Sequence, residues 1–175
     1  DGNDSIEVTA SSNTILGGDG NDHLTITGGN NTVDAGANDD EITVGGSNNS
    51  VVSGSGADKI SVSGSHNTIQ SGDDADNITI AGSNNTVDGG ADADKITVSS
   101  GTNNSINGGD GNDSIEVTAS SNTILGGDGN DHLTITGGNN TVDAGANDDE
   151  ITVGGSNNSV VSGSGADKIS VSGSH

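Results

Sequence analysis

The chain repeats itself with a period of about 18 residues. Asp1–Gly18 reads DGNDSIEVTASSNTILGG, Asp19–Gly36 reads DGNDHLTITGGNNTVDAG, and Ala37–Gly54 reads ANDDEITVGGSNNSVVSG. Ser55–Gly72 and Asp73–Gly90 continue the series, and Ala91–Gly109 carries one extra residue near Ser99–Thr102. A period of this length belongs to architectures in which each unit buries its apolar face against its neighbours in the stack. A second level of repetition lies above it. Residues 1–66 and 110–175 are identical, so six units (1–109) form a super-repeat and a second copy begins at residue 110 (110–175). The expectation is one continuous repeat slice over 1–175. No unit has the character of the polar terminal repeats that close such arrays, so the slice is expected to belong to a longer array.

Each unit has two halves. The first is an Asp turn followed by a strand, as in Gly20-Asn21-Asp22-His23-Leu24-Thr25-Ile26. Period-two alternation puts Leu24 and Ile26 on one face and His23, Thr25 and Thr27 on the other. The same inward pairs return as Ile42/Val44, Ile60/Val62, Ile78/Ile80 and Ile96/Val98. The second half is an Asn turn followed by what reads as a shorter strand, contributing Ile15, Val33, Val51, Ile69, Val87 and Ile106 to the interior. Two short strands and two turns in every unit predict an all-β fold, a parallel β-solenoid. Coils stacked about 4.8 Å apart would make a rod roughly 45 Å long.

Composition constrains what such a rod can be. Only 26% of residues are hydrophobic, and Phe, Trp, Tyr, Met, Cys and Pro are absent. A thick aromatic core is therefore impossible, and two thin aliphatic layers must suffice. Low hydrophobicity with a net charge of −23 would ordinarily mean disorder, but the regular recurrence of β-branched residues argues for order. Three basic residues (Lys59, Lys95 and Lys168) argue against nucleic acid and anionic lipid as partners. No apolar run approaches a membrane span. The absence of Cys leaves a reducing compartment and a cysteine-free extracellular protein both open.

The net charge concentrates attention on the Asp turn. Glycines permit positive φ and close backbone approach, so carbonyl oxygens can converge there. Stacking would bring Asp4, Asp22, Asp40, Asp58, Asp76, Asp94, Asp113, Asp131, Asp149 and Asp167 into one column. Unscreened carboxylates one coil apart repel. A divalent cation between them removes the repulsion, and Ca²⁺, which takes six to eight oxygens flexibly, suits such a site better than Mg²⁺. One ion in each gap between the ten turns would bring the net charge from −23 to about −5.

Gly17–Thr25, Gly108–Glu116 and Gly126–Thr134 each fit the nonapeptide G-G-x-G-x-D-x-U-x, with U a large aliphatic residue. In these stretches the chain resembles the RTX (repeats-in-toxin) β-roll family. The resemblance implies Ca²⁺ held between neighbouring turns, several ions in all and roughly one per coil along one edge. It makes the ten aspartates side-chain ligands, and Gly18, Gly20, Gly54, Gly56, Gly109, Gly111, Gly127 and Gly129 carbonyl donors. Asn38, Asp74 and Asp92 stand where the motif has its third Gly; Asn and Asp are the residues that best tolerate the left-handed region. Only every second nonapeptide fits. The alternate turn carries Asn31, Asn49, Asn67, Asn85 and Asn104 in place of Asp, which predicts calcium along one edge and a neutral Asn ladder along the other.

Nothing in the sequence assembles a catalytic centre. There is no Cys and no nucleophile motif, the acids form ladders rather than a differentiated pair, and His23, His66, His132 and His175 read as solvated surface residues. The chain is thus expected to be a non-enzymatic, secreted or cell-surface bacterial structural protein, a Ca²⁺-stabilised rod continuing into a filament, matrix fibre or adhesin stalk. Two alternatives stand beside it. The hydroxyl columns Thr25/Thr43/Ser61/Thr79/Thr97 and Thr14/Thr32/Ser50/Thr68/Thr86/Ser105 fit an ice-binding adhesion module, although Glu7 and Glu116 interrupt the first. A β-roll can also be the secretion tail of a larger enzyme or toxin. Asn30, Asn48, Asn84 and Asn103 begin Asn-x-Ser/Thr triplets, most simply by-products of the Asn turn.

Overall fold

In the computed structural model, which describes residues 2–173, the chain winds as a parallel β-solenoid. Each coil contributes one strand to each of two sheets. Four-residue strands such as Ser5–Val8, His23–Ile26, Glu41–Val44 and Asn77–Ile80 build a ten-stranded sheet. Six-residue strands such as Thr14–Asp19, Thr32–Ala37 and Thr68–Asp73 build a nine-stranded one, which ends on the three-residue strand Ser159–Val161. Strands pair only with their equivalents in the coils before and after, always in parallel. The second strand is therefore the longer one, contrary to the sequence expectation. Its pairing continues through the small residues that lead into the Asp turn, as in Gly18 opposite Gly36 and Asp19 opposite Ala37. Backbone hydrogen bonding, not the apolar pattern, sets its length.

The core fills the space between the sheets. Leu24, Ile26, Ile42, Ile60, Ile78, Ile80 and Ile96 come from the short strands, and Val33, Val51, Ile69, Val87 and Ile106 from the long ones, all essentially inaccessible to solvent. The alternation thus holds on every strand pair the sequence predicted. A further inward position on the long strands carries only small residues (Ala35, Ser53, Ser71, Gly89, Gly108 and Gly126) and is also buried. Small side chains are needed there because the buried carboxylates of the Asp turn take up the adjoining space.

The extra residue of the sixth unit is absorbed outside both sheets. Lys95 pairs with Asn77 in the coil before and with Ser114 in the coil after, which is one position further along the chain than a regular unit would place it. The insertion falls between Val98 and Asn104, where Gly101 has φ +92°, and the ladders on either side keep their register. No helix long and apolar enough to cross a membrane is present among the described residues.

Because every coil rests on its two neighbours alone, a cavity in the middle of the stack has no thick core to spread into. Ile78→Ala should lower stability by about 2–5 kcal/mol, read as a shift in the urea midpoint at saturating Ca²⁺. A loss below about 0.5 kcal/mol would mean that the aliphatic layers are not what holds the coils together.

Candidate metal centre

Two ladders of side chains run along the two edges of the rod, and they differ in a single atom per rung. On one edge Asn31, Asn49, Asn67, Asn85, Asn104, Asn122 and Asn140 point inward and are buried. Each Oδ1 accepts the backbone N–H of the equivalent Asn one coil earlier, at 2.8 Å from Asn13 to Asn31 and from Asn49 to Asn67. Each Nδ2 donates to a turn carbonyl, for example Asn49 to Gly28 and Asn67 to Gly46. Both polar atoms are satisfied, and this is the neutral Asn ladder that the sequence predicts.

On the opposite edge the aspartates do the first half of the same job. The N–H of Asp4 donates to Oδ1 of Asp22 at 2.7 Å, and the pattern repeats without a break from Asp22 to Asp40 and onward to Asp149 and Asp167. Asp22, Asp40, Asp58, Asp76, Asp94, Asp113, Asp131 and Asp149 are each 3% exposed or less. Asp4 is exposed at the first coil and Asp167 half-buried at the last. The column of ten predicted from the sequence thus forms, with its two end members at the ends of the stack.

The second carboxylate oxygen is where the ladders diverge. In all eight buried aspartates Oδ2 is sealed from solvent and has no hydrogen-bond partner. An amide nitrogen can donate to a carbonyl; a carboxylate oxygen cannot. A buried, unpaired carboxylate oxygen is expensive, and eight in a column are more so. Burial accordingly pushes the Asp40, Asp76 and Asp131 carboxyls up to about 6 and that of Asp94 to about 7, with neighbouring carboxylates adding to the rise. Asp58, Asp113 and Asp149 move the same way, again chiefly through burial. Only a proton or a cation removes this cost.

The residues present fit a hard cation. Among the described residues no three acidic or imidazole side chains converge, so a cation at this edge would need backbone oxygens to complete its shell. Such oxygens stand next to Oδ2: the carbonyl oxygen of Ala35 and Oδ2 of Asp22 flank the same point, the place a Cβ on Gly17 would occupy. These carbonyls belong to a residue that sequence reasoning passed over. The carbonyls of Gly18, Gly54, Gly109, Gly111 and Gly127 lie against the equivalent glycines of the next coil, Gly36, Gly72, Gly127, Gly129 and Gly145. All eight glycines named from the motif do adopt positive φ, between +109° and +145°. So do Asn38, Asp74 and Asp92, at +76°, +74° and +71°, and the turn survives the loss of Gly there. Gly20, Gly111 and Gly129 also donate their N–H groups to turn carbonyls of the next coil.

His23 and His132 directly follow ladder aspartates, but their side chains turn to other partners. His23 and His132 are exposed, with Nδ1 3.2 and 3.6 Å from Glu41 and Glu150, which also bind Lys59 and Lys168. Exposed pairs of this kind contribute little. His66 sits at an exposed left-handed position of the Asn turn, φ +59°, and His175 lies outside the described residues.

Two outcomes follow from the orphaned oxygens. Folded-state pKa values above the unfolded value near 3.8 mean that, without metal, this edge is most stable when protonated. Stability should be fully present below about pH 4 and lost as pH rises through about 6–7, read as loss of the β signal of the metal-free chain in circular dichroism. Asp94→Asn, which supplies a donor in place of Oδ2, should stabilise the metal-free chain at pH 7.5 by about 1–3 kcal/mol. Destabilisation instead would show that Oδ2 has a partner that the fold does not reveal.

Comparison with known proteins agrees with the architecture. The X-ray crystal structure of a hyperactive, Ca²⁺-dependent, β-helical antifreeze protein from an Antarctic bacterium superposes with a TM-score of 0.82 at 28% sequence identity. The alignment covers 96% of this chain and 58% of that one, so the chain spans less than two thirds of that protein. No curated protein matches. Residues 8–65, 62–122 and 117–175 each match one family, described as a protein of unknown function, DUF3060. Matched in three consecutive stretches from Val8 to the last residue, the chain belongs to the DUF3060 family.

Proposed function

We propose that the chain is a calcium-locked segment of an extracellular structural rod, a shaft or stalk built as an RTX-like β-roll. One observation carries the reading: eight buried Asp Oδ2 atoms lack a partner on one edge, while the Asn ladder opposite is satisfied throughout. The Ca²⁺ dependence of the β-helical antifreeze protein supports the choice of ion. At low free Ca²⁺ the carboxylates keep the chain unfolded. At extracellular concentrations ions enter the Asp edge, and their binding free energy becomes folding free energy. Asp22 through Asp149 act as side-chain ligands, with backbone carbonyls of the Asp edge completing the shell, and no residue acts catalytically.

A second reading is ice binding, and it has its own observation. Along the Asn edge runs a double column. Thr14, Thr32, Ser50, Thr68, Thr86, Ser105, Thr123, Thr141 and Ser159 are all exposed and in register from strand to strand. Two residues before each, Ser12, Asn30, Asn48, His66, Asn84, Asn103, Ser121, Asn139 and Asn157 are exposed too, all at φ of +57° to +64°. A rigid polar grid with a repeat of about 4.8 Å can order water, and here, unlike on the short-strand sheet, no Glu interrupts it. The antifreeze activity of the similar protein favours this reading.

Far-UV circular dichroism of the chain, titrated with Ca²⁺ and then EDTA, tests the first reading; thermal hysteresis of the loaded sample tests the second. A coil-to-β transition that EDTA reverses, with no hysteresis, is expected for the rod. Strong hysteresis makes the Asn edge an ice-binding surface. A β spectrum indifferent to both reagents would overturn the calcium lock.

A further inference from the structure

The residue five positions before each ladder aspartate lies beside its Oδ2, and it is not constant. Gly17, Gly89, Gly108 and Gly126 precede Asp22, Asp94, Asp113 and Asp131. Ala35 and Ala144 precede Asp40 and Asp149, while Ser53 and Ser71 precede Asp58 and Asp76. At each of the four glycines a Cβ would meet two oxygens closer than 3.0 Å: the Oδ2 of that coil's aspartate, and the carbonyl oxygen of the matching residue one coil on. With no Cβ to hold them apart, one carboxylate and one carbonyl oxygen, the hard donors that Ca²⁺ takes, close in together over the glycine Cα. The carboxylate oxygen is in every case buried and without a partner.

In the other coils a Cβ stands between those two oxygens. Ala35 and Ala144 put a methyl group there, which offers no donor. Ser53 and Ser71 put a hydroxyl there and use it up: Ser53 Oγ donates to the Ser71 carbonyl at 2.6 Å, and Ser71 Oγ donates to the Gly89 carbonyl. The acceptors are the matching carbonyls one coil on, the counterparts of those that approach Oδ2 beside the glycines. Each hydroxyl also stands beside the carboxyl of its own coil, Ser53 by Asp58 and Ser71 by Asp76, and opposes the rise that burial gives it.

We infer that this inward column grades the coils, so that the glycine coils take the divalent cation tightly and the alanine and serine coils weakly. The inference rests on the calcium reading above and adds to it an order along the rod. Asp40, Asp58 and Asp76 form a run of three weak coils, and Asp94, Asp113 and Asp131 a run of three tight ones. Asp22 and Asp131 occupy the same position in the two copies of the super-repeat, as do Asp40 and Asp149. The super-repeat is therefore a repeat of alternating three-coil blocks of high and low calcium affinity.

Equilibrium dialysis of the whole chain against buffered free Ca²⁺, with bound calcium counted by atomic absorption, tests this. The expected isotherm has two phases, about half of the ions entering at free Ca²⁺ at least about tenfold lower than the rest. Gly108→Ala with Gly126→Ala should remove about two ions from the tight phase. Since a Cβ there also meets backbone, the reverse change carries the decision: Ala35→Gly, Ser53→Gly and Ser71→Gly, each checked for β structure in Ca²⁺, should move ions from the weak phase into the tight one. A single-phase isotherm for the parent, unchanged in the glycine variants, overturns the grading and leaves the calcium lock standing. A parent that binds no calcium at millimolar concentration overturns both.

Discussion

The structure depends on a single hydrogen bond repeated along each edge: a backbone N–H of one coil to the side-chain Oδ1 of the next. On the Asp edge it spans 2.7–3.1 Å over nine steps, and on the Asn edge 2.7–2.9 Å over eight. It closes the turns where the sheet ladders stop, and it draws a polar side chain into the interior at every corner. In a chain with no aromatic residue this matters more than usual, since two aliphatic layers are thin and leave the corners to polar groups. The bond also explains why Asp and Asn are interchangeable for shape and not for charge. Both present Oδ1; only the amide has something to give with its other atom.

From that difference the rest of the site follows. An edge of Asn closes on itself and needs nothing from outside. An edge of Asp is complete only with a partner from solution, and ten of the 26 acidic residues stand in the column where that partner would go. The solenoid is thereby divided lengthwise into a self-sufficient side and a conditional one. Folding on the conditional side is linked to the medium in a way that the hydrophobic pattern alone would not create.

Much of this was legible in the residues. The period of the units, the alternation of Leu24/Ile26 against His23/Thr25, and the column of ten Asp follow from spacing alone, because a parallel solenoid puts equal positions at equal heights. The Asn ladder was legible for the same reason. The length of the second strand was not: Gly and Asp in Gly17–Asp19 read as a turn, and only cross-coil pairing keeps them in the sheet. Nor was the column at Gly17, Ala35, Ser53 and Ser71. Its members have no common chemistry, so nothing marks them as one position until the buried Oδ2 is seen beside them. The motif directed attention to the glycines Gly18 and Gly20, which turn the chain at positive φ. The donor set drawn from the motif omits the position before Gly18, whose counterpart one coil on, Ala35, also places a carbonyl oxygen near Asp22 Oδ2.

Strictly nearest-neighbour pairing also determines how the rod yields to load. Strands lie across the long axis, so a pull from end to end strips hydrogen bonds one coil at a time instead of shearing many together. Each coil that opens exchanges about 4.8 Å of rod for about 60 Å of extended chain. A stack of this kind is therefore a tether with large reserve length, whose resistance at each step is set by the ladder rungs and ions of the coil next in line.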